Sequence, residues 1–264
     1  MLNINDFRTK KQKNEKIKVI TSYDYSTAVI VNESDIDAVL VGDSLGMVFC
    51  GYETTIPVTP EEMIYHTKAV KRGAADKFII TDLPYLSYHV SDDDTLQICG
   101  KIFKESGCHA VKLEGGSEFS GRIKLLTNAS IPVMGHLGLT PQSVHKFGGF
   151  KVQGRDDDKA EKMISDAKSI ENAGAFAIVL EAIPEKLAAL ITQAVSIPTI
   201  GIGAGRYVDG QVLVINDLLG YNRNFNPRFV RKYRNYNDDI LNALNEYCED
   251  VDKQIFPAEE NSFK

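Results

Sequence analysis

Seven side chains in this sequence have the types and spacing for shared chemistry: Asp43, Ser44, Asp82, Lys112, Glu114, His136 and Glu181. Asp43, Asp82 and Glu114 form a hard-oxygen set with no cysteine and little histidine nearby, which suits Mg²⁺ better than zinc. They are the candidate metal ligands. Lys112 carries the charge to meet a substrate carboxylate, and Ser44 and His136 can donate further hydrogen bonds. Glu181 is the leftover carboxylate, and a carboxylate that does not hold a metal can take a proton. The set reads as a metal-stabilised enolate site.

These residues need elements that bring them together, and the sequence has a rhythm that does so. Short β-branched runs recur at 18–24, 38–44, 77–84, 110–116, 131–138, 176–184, 197–205 and 211–220, giving eight candidate strands. Most gaps carry amphipathic helical patterns. PEEMIYHTKAVKRGA opens with Pro60 and two glutamates, while DDDTLQICGKIFKESG and DKAEKMISDAKSIENAG each end in glycine. The gap between GIGAG and QVLV is too short for a full helix. Nearly continuous apolar strands alternating with helices point to parallel pairing with both sheet faces covered. The expected fold is α/β, a (β/α)8 TIM barrel in a single domain spanning 1–264, with the barrel over about 16–220 and a C-terminal helical tail over about 221–264. A doubly wound open sheet is the alternative.

In a parallel barrel the C-terminal strand ends share one rim, where active sites are built. Each candidate residue closes a run: Asp43 and Ser44 the second, Asp82 the third, Lys112 and Glu114 the fourth, His136 the fifth, Glu181 the sixth. Any one of these charges fits a solvated loop acid or a helix N-cap equally well. Five strands in succession do not. Lys112 and Glu114, two apart in a strand, face the same way.

Other features exclude other functions. The 264 residues carry a formal net charge of only −6 with the signs mixed, so no basic patch calls for nucleic acid or an anionic membrane. The N-terminus is basic without the apolar core of a signal peptide, and no run of about eighteen apolar residues could span a bilayer, so a cytoplasmic protein is expected. Cys50, Cys99, Cys108 and Cys248 match neither a zinc site nor a C-x-x-C pair, and reduced thiols are expected. GIGAGR has Arg206 where a dinucleotide fingerprint needs its third glycine, which argues against NAD. His66, His89, His109 and His145 show no ligand spacing and read as capping, surface or core residues. The tail continues as RNFNPRFVRKYRNYN and an amphipathic helix using Ile240, Leu241, Leu244 and Tyr247, suited to capping the barrel or meeting a neighbouring subunit.

Several blocks resemble the ketopantoate hydroxymethyltransferase family: ITSYDYSTA, VGDSLGMV, PVTPEEMIYHTKAVKRGA, AVKLEGG, MGHLGLTPQSVHKFGGFKVQGR, GIGAG with DGQVLV, and PRFVRKY. They cover about residues 16–235. The resemblance implies that Asp43 and Asp82 bind one Mg²⁺ per subunit, with Glu114 completing the site directly or through water. It implies that Asp43, Ser44, Asp82 and Lys112 contact a keto acid, that His136 lies close to it, and that Glu181 is the proton acceptor. The implied reaction moves a hydroxymethyl group from 5,10-methylenetetrahydrofolate, as co-substrate, to 3-methyl-2-oxobutanoate in pantothenate and coenzyme A biosynthesis. A homo-oligomer is also implied, a decamer built as a pentamer of dimers. Leu86 and Ala182-Ile183 stand where the family varies. Two other readings keep the same residues: a Mg²⁺-dependent keto-acid lyase barrel that handles C–C or C–P bonds, and a catalytically silent binding barrel.

Overall fold

A computed structural model describes residues 1–263, which divide into a compact unit from Met1 to Val214 and a second that begins at Ile215. The first is a closed barrel of eight parallel strands: β1 (Ile17–Thr21), β2 (Ala38–Val41), β3 (Phe78–Asp82), β4 (Ala110–Glu114), β5 (Val133–Gly138), β6 (Ala177–Glu181), β7 (Thr199–Ile202) and β8 (Gly210–Leu213). They pair in sequence order, and β8 closes on β1 with Val19 opposite Val212. The expected (β/α)8 barrel is the observed one. Helices cover its outside, which is why β2, β3 and β4 are buried along their whole length.

Alternation along the strands decides which residues reach the barrel interior. The interior cluster takes Ile17 and Val19 from β1, Ala38 and Leu40 from β2, Phe78 and Ile80 from β3, Ala110 from β4, Met134 from β5, and Ala177 and Val179 from β6. Continuing each series by two places Asp82, Lys112, Glu114, His136 and Glu181 on the same inward face, above this apolar floor. A helix at Ile4–Gln12, absent from the sequence reading, closes the opposite end. Its Phe7 is fully buried and packs edge-on against Phe78 at 5.1 Å and Phe176 at 5.3 Å. Burying that ring contributes about 1.5–3 kcal/mol.

The helices begin where the sequence cues place them. In the helix Pro60–Gly73 the Thr59 hydroxyl accepts from Glu62 N–H at 3.2 Å, and the Glu62 carboxylate accepts from Thr59 N–H at 2.7 Å. Ser91 caps Asp92–Ser106, and the run Asp92, Asp93, Asp94 lies in its first turn, favoured by the helix dipole. The run at 211–220 is a correction: the strand ends at Leu213 and Ile215–Leu219 is helical. Asn216 and Asp217 are poor strand residues, which accounts for the early end. No helix follows GIGAG before β8 starts, so the phosphate-binding helix of a dinucleotide site is missing there.

In the second unit the helix Tyr236–Asp252 exposes Ile240, Leu241, Leu244 and Tyr247. Cys50 and Cys248 are exposed and Cys99 and Cys108 buried, all as free thiols. His66 meets Tyr23 O, and His109 accepts from Ile79 N–H while its other nitrogen meets Lys71, so both serve the fold. Among the described residues no helix is long and apolar enough to cross a membrane.

Candidate active site

Five ionisable side chains are buried at the C-terminal rim: Asp43 and Asp82 at 3% exposure, Lys112 and Glu114 at 4%, and His136 at 2%. Glu181 and Ser44 sit beside them, half-buried. Strand register sets the neighbours, with Asp82 opposite Lys112 and Glu114 opposite His136. Lys112 Nζ contacts Asp82 Oδ1 at 2.7 Å and lies 3.2 Å from His136 Nδ1. His136 then bridges two carboxylates, Nδ1 at 3.5 Å from Glu114 Oε1 and Nε2 at 3.2 Å from Glu181 Oε2. Asp43 N–H donates to Asp82 Oδ2 at 3.1 Å. That approach needs glycine at 42, where a Cβ would stand 2.7 Å from Ser44 Oγ and 3.3 Å from Asp82 Oδ2. Ser44 Oγ is 2.9 Å from the Tyr23 hydroxyl.

Two residues enter the site that the strand pattern does not single out. Gln142 and Tyr88 are both buried and come from loops after β5 and β3. Gln142 donates from Nε2 to Asp43 Oδ2 at 2.8 Å and to Leu83 O at 2.9 Å, and its backbone N–H donates to Glu114 Oε2 at 3.1 Å. The Tyr88 hydroxyl accepts from Glu114 N–H at 3.2 Å and lies 3.0 Å from Gln142 Oε1. The available cue was position alone: each lies within ten residues of a strand end that carries a charge.

Burial and close neighbours shift the ionisation of this cluster in both directions. Burial, then Asp82 and Glu114, push the Asp43 carboxyl well above its ordinary value. Burial also raises Asp82, against the pull of Lys112. For Glu114 the effect of burial is outweighed by His136 and Lys112, which bring its pKa below the usual range. Burial and Lys112 oppose a charge on His136, but Glu114 and Glu181 hold its pKa up at about 9. Burial would likewise neutralise Lys112, yet Asp82, Glu114 and Asp43 keep it protonated. The carboxyl groups of Asp43, Asp82, Glu114 and Glu181 therefore crowd around one lysine and one histidine, and burial works against a charge on Asp43 and Asp82.

Four carboxyl groups, all oxygen donors, gathered with only two basic side chains fit a divalent hard cation. Among the described residues no three His, Cys, Asp or Glu side chains stand ready as a metal-holding group. Lys112 occupies Asp82 Oδ1, Gln142 occupies Asp43 Oδ2 and Glu114 Oε2, so a cation here would take few carboxylates and keep water. Mg²⁺ is bound in that way. Beside the cluster lies a cavity of about 440 Å³ with Glu114 and His136 in its wall, lined further by Tyr85, Phe119, Phe147 and Lys146.

The sequence profile of the ketopantoate hydroxymethyltransferase family matches residues 1–259. A relative from Clostridium acetobutylicum named 3-methyl-2-oxobutanoate hydroxymethyltransferase is 55% identical over 258 residues, covering 98% of this chain and 94% of the relative. The chain belongs to the ketopantoate hydroxymethyltransferase family. It is accordingly an enzyme of the hydroxymethyltransferase class. More distant solved structures share the fold. A putative phosphonomutase from Burkholderia cenocepacia superposes with a TM-score of 0.64 at 15% identity over 80% of this chain and 92% of that one. A phosphonopyruvate hydrolase, solved as a complex with oxalate and Mg²⁺, gives 0.62 at 12% identity over 98% and 93%.

Two residues near the rim carry left-handed backbone: Leu86 at φ +68° and Ala182 at φ +47°. Ala182 directly follows Glu181, whose carbonyl accepts from Leu139 N–H at 2.9 Å while Ala182 O accepts from Gln153 N–H at 2.9 Å. Gly138 makes this possible. Its φ is +101°, and a Cβ there would fall 2.1 Å from Glu181 O.

Proposed function

We propose that this chain transfers a hydroxymethyl group from 5,10-methylenetetrahydrofolate to 3-methyl-2-oxobutanoate, giving 2-dehydropantoate and tetrahydrofolate for pantothenate synthesis. The observation that carries the reading is the rim cluster of four carboxyl groups around Lys112 and His136, beside a cavity large enough for a second reactant. Asp43 and Asp82, with Glu114 directly or through water, would hold Mg²⁺. Bound there, the ion would act as a Lewis acid on the keto group and make the C3 proton removable.

The remaining work falls to the chain. Lys112 pairs with the substrate carboxylate, exchanging part of its contact with Asp82, and Ser44 donates its hydroxyl. Glu181 takes the C3 proton on the oxygen that does not face His136, whose imidazolium holds the other one in place. The C3–H bond breaks and C3 bonds to the one-carbon unit. Both C–N bonds that joined this unit to the folate break, water supplies the hydroxyl group, and the remaining water proton together with the one removed from C3 leaves both folate nitrogens protonated. Aromatic walls in the adjacent cavity would seat the folate. A homo-oligomer, the decamer implied by family resemblance, belongs to the same proposal.

Omitting Mg²⁺, folate or keto acid in turn from an assay for 2-dehydropantoate tests the reading. Product is expected only with all three. Cleavage of a keto acid without folate would move the chain to the lyase reading, and no turnover with no thermal shift on adding Mg²⁺ and keto acid would leave a silent barrel.

Gly138→Ala is expected to lower kcat by roughly 100-fold while changing the KM for keto acid little. The added methyl must displace the Glu181 carbonyl, and a shift of about 1 Å at a reacting group costs that much. Steady-state kinetics check it, and a kcat within a few-fold of wild type would show that Glu181 is not the group Gly138 positions.

A further inference from the structure

We propose that Gln142 is a positioning residue that sets the Asp43 and Glu114 carboxylates for the cation and the keto acid. The proposal rests on the function above. Gln142 sits in the short turn Pro141–Ser143 beyond β5, with 6% exposure, and reaches residues at the ends of three other strands. It touches Asp43 after β2, Leu83 after β3 and Glu114 in β4.

The amide orientation follows from its partners. Leu83 O can only accept, so Nε2 must face it, and both Nε2 hydrogens are then committed, one to Leu83 O and one to Asp43 Oδ2. Oε1 is left toward the Tyr88 hydroxyl at 3.0 Å. The Leu83 and Tyr88 contacts fix the side chain independently of any ligand, so the hydrogen bond to Asp43 is set in advance. Asp43 is thereby held through one oxygen and confined to one rotation.

The residue type matters as much as the geometry. An amide donates to a carboxylate without adding charge, whereas a lysine or arginine at this place would offset the Asp43 charge and weaken the cluster's demand for a cation. Lys112 already supplies the one ammonium for the substrate. Gln142 orders the carboxylates while leaving their charge to the metal.

Gln142→Met tests this, because methionine keeps the approximate size and the backbone N–H to Glu114 but removes both side-chain donors. Calorimetric titration of the folded variant with 3-methyl-2-oxobutanoate in saturating Mg²⁺ is expected to show a Kd raised roughly 10- to 100-fold, the range typical of losing an outer partner of a metal site. A purely structural residue would lower Tm and leave that Kd alone. Tyr88→Phe supplies a second reading should the methionine variant not fold. It removes only the hydroxyl that orients the amide, and the Kd is expected to rise roughly 2- to 10-fold. A wild-type Kd in either folded variant overturns the role of Gln142. Absence of binding in the wild-type protein would instead overturn the proposed function, and the role of Gln142 with it.

Discussion

Asp43→Asn is expected to abolish Mg²⁺-dependent keto acid binding while making the metal-free protein more stable. The two effects have one cause. Asp43 is buried beside Asp82 and Glu114, and its pKa is raised well above the ordinary carboxylate value of 3.8. A group whose folded pKa is raised contributes stability below its unfolded pKa and loses it as pH rises through the folded one. At neutral pH the carboxylate therefore opposes folding, and an uncharged isostere relieves that opposition. The gain in Tm over wild type should be small near pH 4 and grow as pH rises. The same substitution removes one of very few charged oxygens able to hold the ion against its hydration shell. Outer partners of metal sites already cost 10–100-fold in affinity, so losing Asp43 itself should cost roughly 100-fold or more. Thermal melts with and without Mg²⁺ and keto acid show both effects. An Asn variant that is less stable without metal, or that keeps the ligand-induced rise in Tm, contradicts the assignment.

Glu181→Gln is expected to separate binding from proton transfer. Glutamine keeps the size of the side chain and can still meet His136 Nε2 through its amide oxygen, 3.2 Å away in the present geometry. What it cannot do is accept a proton from carbon. Metal and keto acid should bind as in wild type, while turnover falls by roughly 10²- to 10⁴-fold, the usual contribution of a general base. Loss of binding together with turnover would make Glu181 a substrate-holding group instead.

The strand-end residues were legible because the period of two that makes a strand apolar on its inner face continues to its last residue. Phe78 and Ile80 predict where Asp82 points, Ala110 predicts Lys112 and Glu114, and Met134 predicts His136. Parallel pairing then gathers those ends on one rim. Gln142 and Tyr88 were not legible in that way, because a loop has no period and its path is set by contacts that form only once the barrel closes. The buried Phe7 was hidden for a related reason: it is one aromatic ring in a helix that is otherwise largely polar and exposed. The run at 211–220 misled through its apolar residues, since both a strand and a short buried helix are written with valine, isoleucine and leucine.

The central claim is that the rim cluster removes the C3 proton of the keto acid with Mg²⁺ in place and Glu181 as base. Proton NMR of 3-methyl-2-oxobutanoate in D₂O, with wild-type protein and Mg²⁺ but no folate, follows that proton directly. The expected result is enzyme-dependent loss of the C3–H signal that stops on chelation of the metal and slows roughly 10²- to 10⁴-fold in Glu181→Gln. Exchange that persists after chelation, or that runs at the wild-type rate in Glu181→Gln, would contradict it.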